Sequence, residues 1–141
     1  MADVKAQVTY HFNATAEAVF DTWITGSKIR QWFAPGMGEV TRALVDPREG
    51  GVFSFVQLRG MDGVEHNGTY LEFVRPARLV FTWQVKGTDD SSKVIVNITP
   101  AESGCDLQLT HELHLHWQSY KEKVEASWMK MLTAMEATLK K

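Results

Sequence analysis

Residues 52–74 read VFSFVQLRGMDGVEHNGTYLEFV, and this stretch decides the fold. Successive side chains of a strand point to opposite sides, so between Val52 and Arg59 the residues Phe53, Phe55 and Gln57 share one face and Ser54 takes the other. From Glu65 to Val74 the texture is again that of a strand. Between the two lies Gly60-Met-Asp-Gly63, in which Asp62-Gly63 is a favoured hairpin dipeptide. Strands joined so tightly must be antiparallel, because a parallel pair needs a crossover of about a dozen residues or more.

The same pattern extends in both directions. Upstream, Val40 to Val45 reads as a strand closed by the turn at Asp46–Gly51. Downstream, strands are expected at Leu79–Lys86, Lys93–Thr99 and Asp106–His116, with turns around Arg75-Pro76, at Gly87–Ser92 and at Pro100–Gly104. Leu79, Phe81 and Trp83 share a face opposite Thr82 and Gln84. Val94, Val96 and Ile98 do so opposite Lys93 and Asn97, and Leu107, Leu109 and His111 opposite Asp106, Gln108 and Thr110. An antiparallel meander with one covered and one solvated face follows.

Ahead of the meander, Val4–Phe12 reads as a first strand, and the segment ending in Thr15 supplies a polar cap with Glu17 in the next turn. Val19, Phe20, Trp23 and Ile24 form the apolar stripe of a short helix that Gly26 stops. Ser27 is the expected cap of a second short helix running through Trp32 and Phe33 to Ala34-Pro35-Gly36. The last segment, Trp117 to Lys141, contains no proline or glycine and repeats Trp128, Met131, Leu132, Met135 and Leu139 at helical spacing. At 1.5 Å per residue, some twenty residues of helix span about 30 Å, enough to lie across the sheet.

The 141 residues are expected to form one α+β domain, 1–141, with 44% hydrophobic and 23% charged residues and a formal net charge of −2. No basic stripe points to nucleic acid. Cys105 has no second cysteine to pair with. No apolar run approaches the ~18 residues of a membrane span, and Met1–Lys5 lacks the layout of a secretion signal. A cytoplasmic location is expected.

Trp32-Phe33 before Pro35-Gly36, Gly50-Gly51 ahead of Phe53 and Phe55, Asp62-Gly63, and Gly68, Tyr70 and Glu72 recur in one family pattern. So do Pro76 with Arg78–Trp83, Leu107–Glu112, and Ser127-Trp128 with Leu132. In that order, over about residues 8–139, the chain resembles small bacterial proteins similar to the C-terminal domain of the heat-shock protein 90 ATPase activator. These belong to the START-like, birch-pollen-allergen-like (SRPBCC) superfamily. The resemblance implies a helix-grip fold: a curved antiparallel sheet of about seven strands around a long C-terminal helix, two short helices between strands 1 and 2, and a hydrophobic cavity inside. Members often carry glycine before the tryptophan of the last helix; Ser127 stands there in this chain.

Alternation makes Gln57 and His111 the polar members of an aromatic inner face. With the implied cavity, the expected ligand-binding residues are Trp32, Phe33, Phe53, Phe55, Gln57, Tyr70, Phe81, Trp83, His111, Trp128, Leu132 and Met135. The preferred reading is non-enzymatic binding of a hydrophobic or amphipathic small molecule, with no cofactor. Two alternatives stay open. One is a chaperone-activator-like interaction module, with a chaperone or homodimer contact, which a cavity-filling change such as Gly68→Leu would leave unaffected. The other is a cavity enzyme of cyclase or hydrolase type using His111 or an acidic residue. Glu65, His66 and Glu72 would be its acid/base set, though no nucleophile stands beside them. His111, Glu112, His114 and His116 suggest a metal site, but strand alternation sends His114 and His116 away from His111, and none is expected.

Overall fold

The computed structural model describes residues 4–87 and 91–139; Thr88–Asp90 of the expected polar turn, and the terminal Lys140 and Lys141, lie outside them. Strand β1 (Val4–Phe12) is followed by helices α1 (Ala16–Ile24) and α2 (Gly26–Trp32). Then come β2 (Val40–Val45), β3 (Val52–Arg59), β4 (Asp62–Val74), β5 (Arg78–Val85), β6 (Ser91–Pro100) and β7 (Cys105–Leu113). A 3₁₀ helix, Leu115–Tyr120, leads into α3, Lys121–Leu139. The seven strands form one antiparallel sheet in the order β1-β7-β6-β5-β4-β3-β2. Strands β2 to β7 run as a meander, and the α1–α2 excursion carries the chain from β1, beside β7, to the opposite edge. The register shifts between Val40 and Arg42 and between Tyr70 and Glu72, as at bulges, which bend and twist a strand locally. The helix-grip architecture expected from the sequence is the one observed.

Three local expectations are corrected. Helix α1 is capped as read, Thr15 Oγ1 accepting from Ala18 N–H at 3.1 Å. Helix α2, however, starts at Gly26 with Thr25 as its cap, and Ser27 lies inside it. The Thr25 hydroxyl donates back to the Asp21 carbonyl (2.6 Å) while its own carbonyl accepts from Ile29 N–H (2.9 Å), so one helix passes into the next without a linker. A Cβ on Gly26 would sit 2.5 Å from the Ala43 carbonyl oxygen, and its absence lets α2 lie on β2.

The β3–β4 hairpin turns at Gly60-Met61, since Arg59 pairs with Asp62, and Asp62-Gly63 already belong to β4. This register sets Gly68 opposite Phe53, whose ring fills the space where a side chain at 68 would stand; a Cβ there would be 2.6 Å from Phe53 Cζ and 1.9 Å from the Thr82 carbonyl oxygen. Gly68→Leu is therefore a disruption of the sheet and not a cavity filler. The third correction concerns β7, which ends at Leu113 and not at His116. Leu113 closes a small cluster with Val4 and Ala6, and Trp117 falls in the 3₁₀ helix before α3 begins.

The covered face agrees with the alternation. Phe53, Phe55, Leu79, Phe81, Val94, Val96, Ile98, Leu107 and Leu109 are buried, beneath Trp128, Met131, Leu132 and Met135 of α3. Burial of such side chains contributes roughly 1.5–3 kcal/mol each, which is what holds α3 to the sheet.

Candidate ligand-binding groove

The aromatic inner face is closed. Trp23, Trp32, Phe53, Phe55, Tyr70, Leu79, Phe81, Trp83 and Trp128 surround only about 10 Å³, no more than one water occupies. Their rings interlock: Phe53 meets Phe81 edge-on with centroids 5.5 Å apart, and Trp23 lies 5.7 Å from Trp128. Offset and edge-to-face contacts of this kind stabilise a core beyond its area.

The open space lies beside that core, where the ends of β3 to β7 meet the 3₁₀ helix and the first turns of α3. One lobe of about 450 Å³ runs along Trp83, Ser92, His111, Leu113 and His114. A second of about 300 Å³ reaches Phe33, His66, Tyr120, Lys123 and Met131. Arg59, Trp83, His111, Trp117, Val124 and Ser127 line both, so the two are lobes of one groove.

Of the residues expected to bind a ligand, Trp83, His111, Phe33 and Trp128 reach the groove. Trp32, Phe53, Phe55, Tyr70 and Phe81 line the closed interior, and Leu132 and Met135 are wholly buried. Gln57 is buried too, with its side chain saturated. Its Nε2 donates to the carbonyls of Ala34 and Gly38 (both 3.1 Å), and its Oε1 accepts from Arg59 Nε (3.0 Å) and Nη2 (2.9 Å). The amide thereby braces the loop after α2, where Ala34 has φ +39°, and aims Arg59. Ser127 is exposed on the groove wall, and Trp128 beside it is buried despite the missing glycine.

The expected ligand-binding set omitted Arg59, Trp117, Tyr120, Lys123, Val124 and Ser127, and His66 was expected only as a member of an acid/base set with Glu65 and Glu72. Arg59 follows Gln57 by two on the inner face, and His66 has the parity of Gly68 and Tyr70, so both were accessible to alternation. His66 is buried and stacked on Trp83 (5.3 Å, 26°), with Phe33 edge-on at 4.9 Å. Neither of its ring nitrogens has a hydrogen-bond partner among the described residues. Burial, reinforced by the positive charge of Arg59, pushes its pKa down to about 4.

His111 is the opposite case. The Trp128 indole N–H can only donate, and it lies 3.1 Å from His111 Nδ1, so Nδ1 must be the unprotonated nitrogen. The proton therefore sits on Nε2 and goes to Ser92 Oγ at 2.7 Å, while Ser92 donates onward to the Trp83 carbonyl (3.3 Å). Burial depresses the His111 pKa to about 4, in keeping with a neutral ring. Ser92 and His111 have the spacing of a nucleophile and its base, but this tautomer directs the proton the wrong way for the histidine to accept one from serine.

The other candidate sets separate. Glu65 faces outward to Arg42 (3.3 Å) and Lys86 (3.9 Å), away from His66, and Glu72 pairs with Arg78 (2.9 Å). Glu112 faces Lys93 (3.4 Å) on the outer side, and His114 and His116 stack on each other beyond the strand. No group of three metal-ligating side chains is assembled among the described residues, and no described helix is long and apolar enough to cross a membrane.

A family model described as activator of Hsp90 ATPase homolog 1-like protein matches residues 13–140. No protein of curated function matches the sequence. Among solved structures, protein CV1439 from Chromobacterium violaceum is similar, with a TM-score of 0.87 at 19% identity over 97% of this chain and 98% of its own. An AHSA1-like protein from Aeromonas hydrophila gives 0.81 at 24% identity over 97% and 92%. DynU16, a protein of the dynemicin biosynthetic locus, gives 0.75 at 17% identity; 98% of this chain covers 48% of that one. At these identities the likeness concerns the fold.

Proposed function

The chain belongs to the activator of Hsp90 ATPase homolog 1-like family, and from that premise we propose that it binds a hydrophobic or amphipathic small molecule in the two-lobed groove between the sheet and the C-terminal helix. The observation that carries this reading is the groove itself: aromatic walls from Trp83, Trp117 and Phe33 around lobes of about 450 and 300 Å³, beside an interior with no room for a ligand. Small-molecule sites have this size and this mixture of apolar wall and few polar groups. His66 adds a buried donor and acceptor left unpaired among the described residues, a cost of about 1–3 kcal/mol that a ligand group would offset.

The test uses the neutral dye N-phenyl-1-naphthylamine. Saturable one-to-one fluorescence enhancement is expected. Ser127→Trp, a change on an exposed position of the groove wall, should abolish it while leaving the unfolding temperature near that of the parent. Absence of saturable binding, or binding untouched by Ser127→Trp, would remove the reading.

A further inference from the structure

We propose that the groove selects an anionic aromatic ligand, whose acid group is held by Arg59 while its ring system lies against Trp83 and Trp117. This rests on the groove being the binding site and adds the chemistry of what enters it.

Arg59 stands on the wall common to both lobes, half-buried. Its only hydrogen bonds among the described residues go to the neutral Gln57 Oε1, at 3.0 and 2.9 Å, and no described carboxylate pairs with it. That distinguishes it from Arg42, Arg48, Arg75 and Arg78, each of which pairs with Asp or Glu. The described residues lining the two lobes include no Asp or Glu. The described lining thus carries more positive than negative charge, in a chain whose formal net charge is −2. Lys123 adds a second cation at the rim, its Nζ 5.5 Å from the centre of the Tyr120 ring.

Arg59 is also prearranged. Two of its donors are fixed by Gln57, which is itself clamped by the Ala34 and Gly38 carbonyls, so Nη1 is left to a ligand with little ordering still to be done. A guanidinium is suited to a planar carboxylate or a sulfonate, and such charge-assisted bonds are roughly twice as strong as neutral ones. The His66 ring, buried with both nitrogens unpartnered, supplies an N–H on the same wall for a second acceptor of the ligand.

The test compares two dyes with the same aromatic body: 1-anilinonaphthalene-8-sulfonate, which is anionic, and neutral N-phenyl-1-naphthylamine. The expected result is that Arg59→Gln weakens the sulfonate by about 10- to 100-fold more than it weakens the neutral dye, the loss of one charge-assisted contact. Retained binding of the neutral dye also shows that the variant is folded. Arg59→Lys, which keeps the charge, should keep part of the sulfonate preference, and added salt should weaken the sulfonate alone. An Arg59→Gln protein with the parent's ratio of the two affinities would overturn the inference while leaving the binding groove standing. Failure of both dyes to bind the parent protein would overturn both.

Discussion

Acid should destabilise this protein well above the carboxylate range, through His111. In the fold its Nδ1 accepts from the Trp128 indole N–H, a group that cannot reverse its role, so protonation sets two N–H groups against each other and buries a charge. The pKa is lowered from 6.5 to about 4, by burial. The sign follows: between those values the unfolded chain binds the proton and the native one does not. The contribution is therefore fully present above about pH 6.5 and is lost as pH falls towards 4. Lowering from 6.5 to about 4 corresponds to about 3 kcal/mol, of which about 2 kcal/mol is lost between pH 7 and pH 5. His66, lowered to about 4 by burial and by Arg59, acts in the same direction. Asp21, Glu65, Glu72 and Glu125 are lowered by hydrogen bonds to Arg75, Asn67, Arg78 and the Gln7 backbone respectively. The assay is urea unfolding at pH 7 and pH 5 for the parent and for His111→Gln, whose amide can accept from Trp128 and donate to Ser92 without titrating. The variant should lose about 2 kcal/mol less stability across the interval. Equal losses in the two proteins would refute the assigned tautomer and its energetic consequence.

Two further outcomes are expected. Gly68→Ala should cost about 3 kcal/mol or prevent folding, because its Cβ would meet the Thr82 carbonyl at 1.9 Å and the Phe53 ring at 2.6 Å, parting β4 from β5; chemical denaturation measures it. Gln57→Leu should cost about 2–4 kcal/mol by the same assay, since it leaves the Ala34 and Gly38 carbonyls and two donors of Arg59 without partners.

Alternation is a local property of the extended backbone, which is why the inner faces of β3, β5, β6 and β7 could be read residue by residue. The Thr15 cap and the Trp128–Met135 stripe were legible on the same ground, each being a pattern within one helix. Boundaries set by neighbours in space were not. The hairpin turned at Gly60 instead of Asp62 because Phe53 needs the space above Gly68, and that conflict exists only once two strands are paired. Gln57 and His111 looked alike in sequence, both polar on an apolar face. Only their partners distinguish a brace for Arg59 from a ring locked between Trp128 and Ser92.

The same division governs the site. The sequence by itself determined that a sheet with an aromatic inner face would be covered by the long C-terminal helix. Whether that face encloses a hollow depends on how nine side chains from six elements interlock, and no local pattern carries that information. Tertiary packing closed the interior and moved the usable space to the mouth of the grip. There Arg59 and His66 of the β3–β4 hairpin share a wall with Trp117, which is distant in sequence, because the 3₁₀ helix before α3 lies against the strand ends.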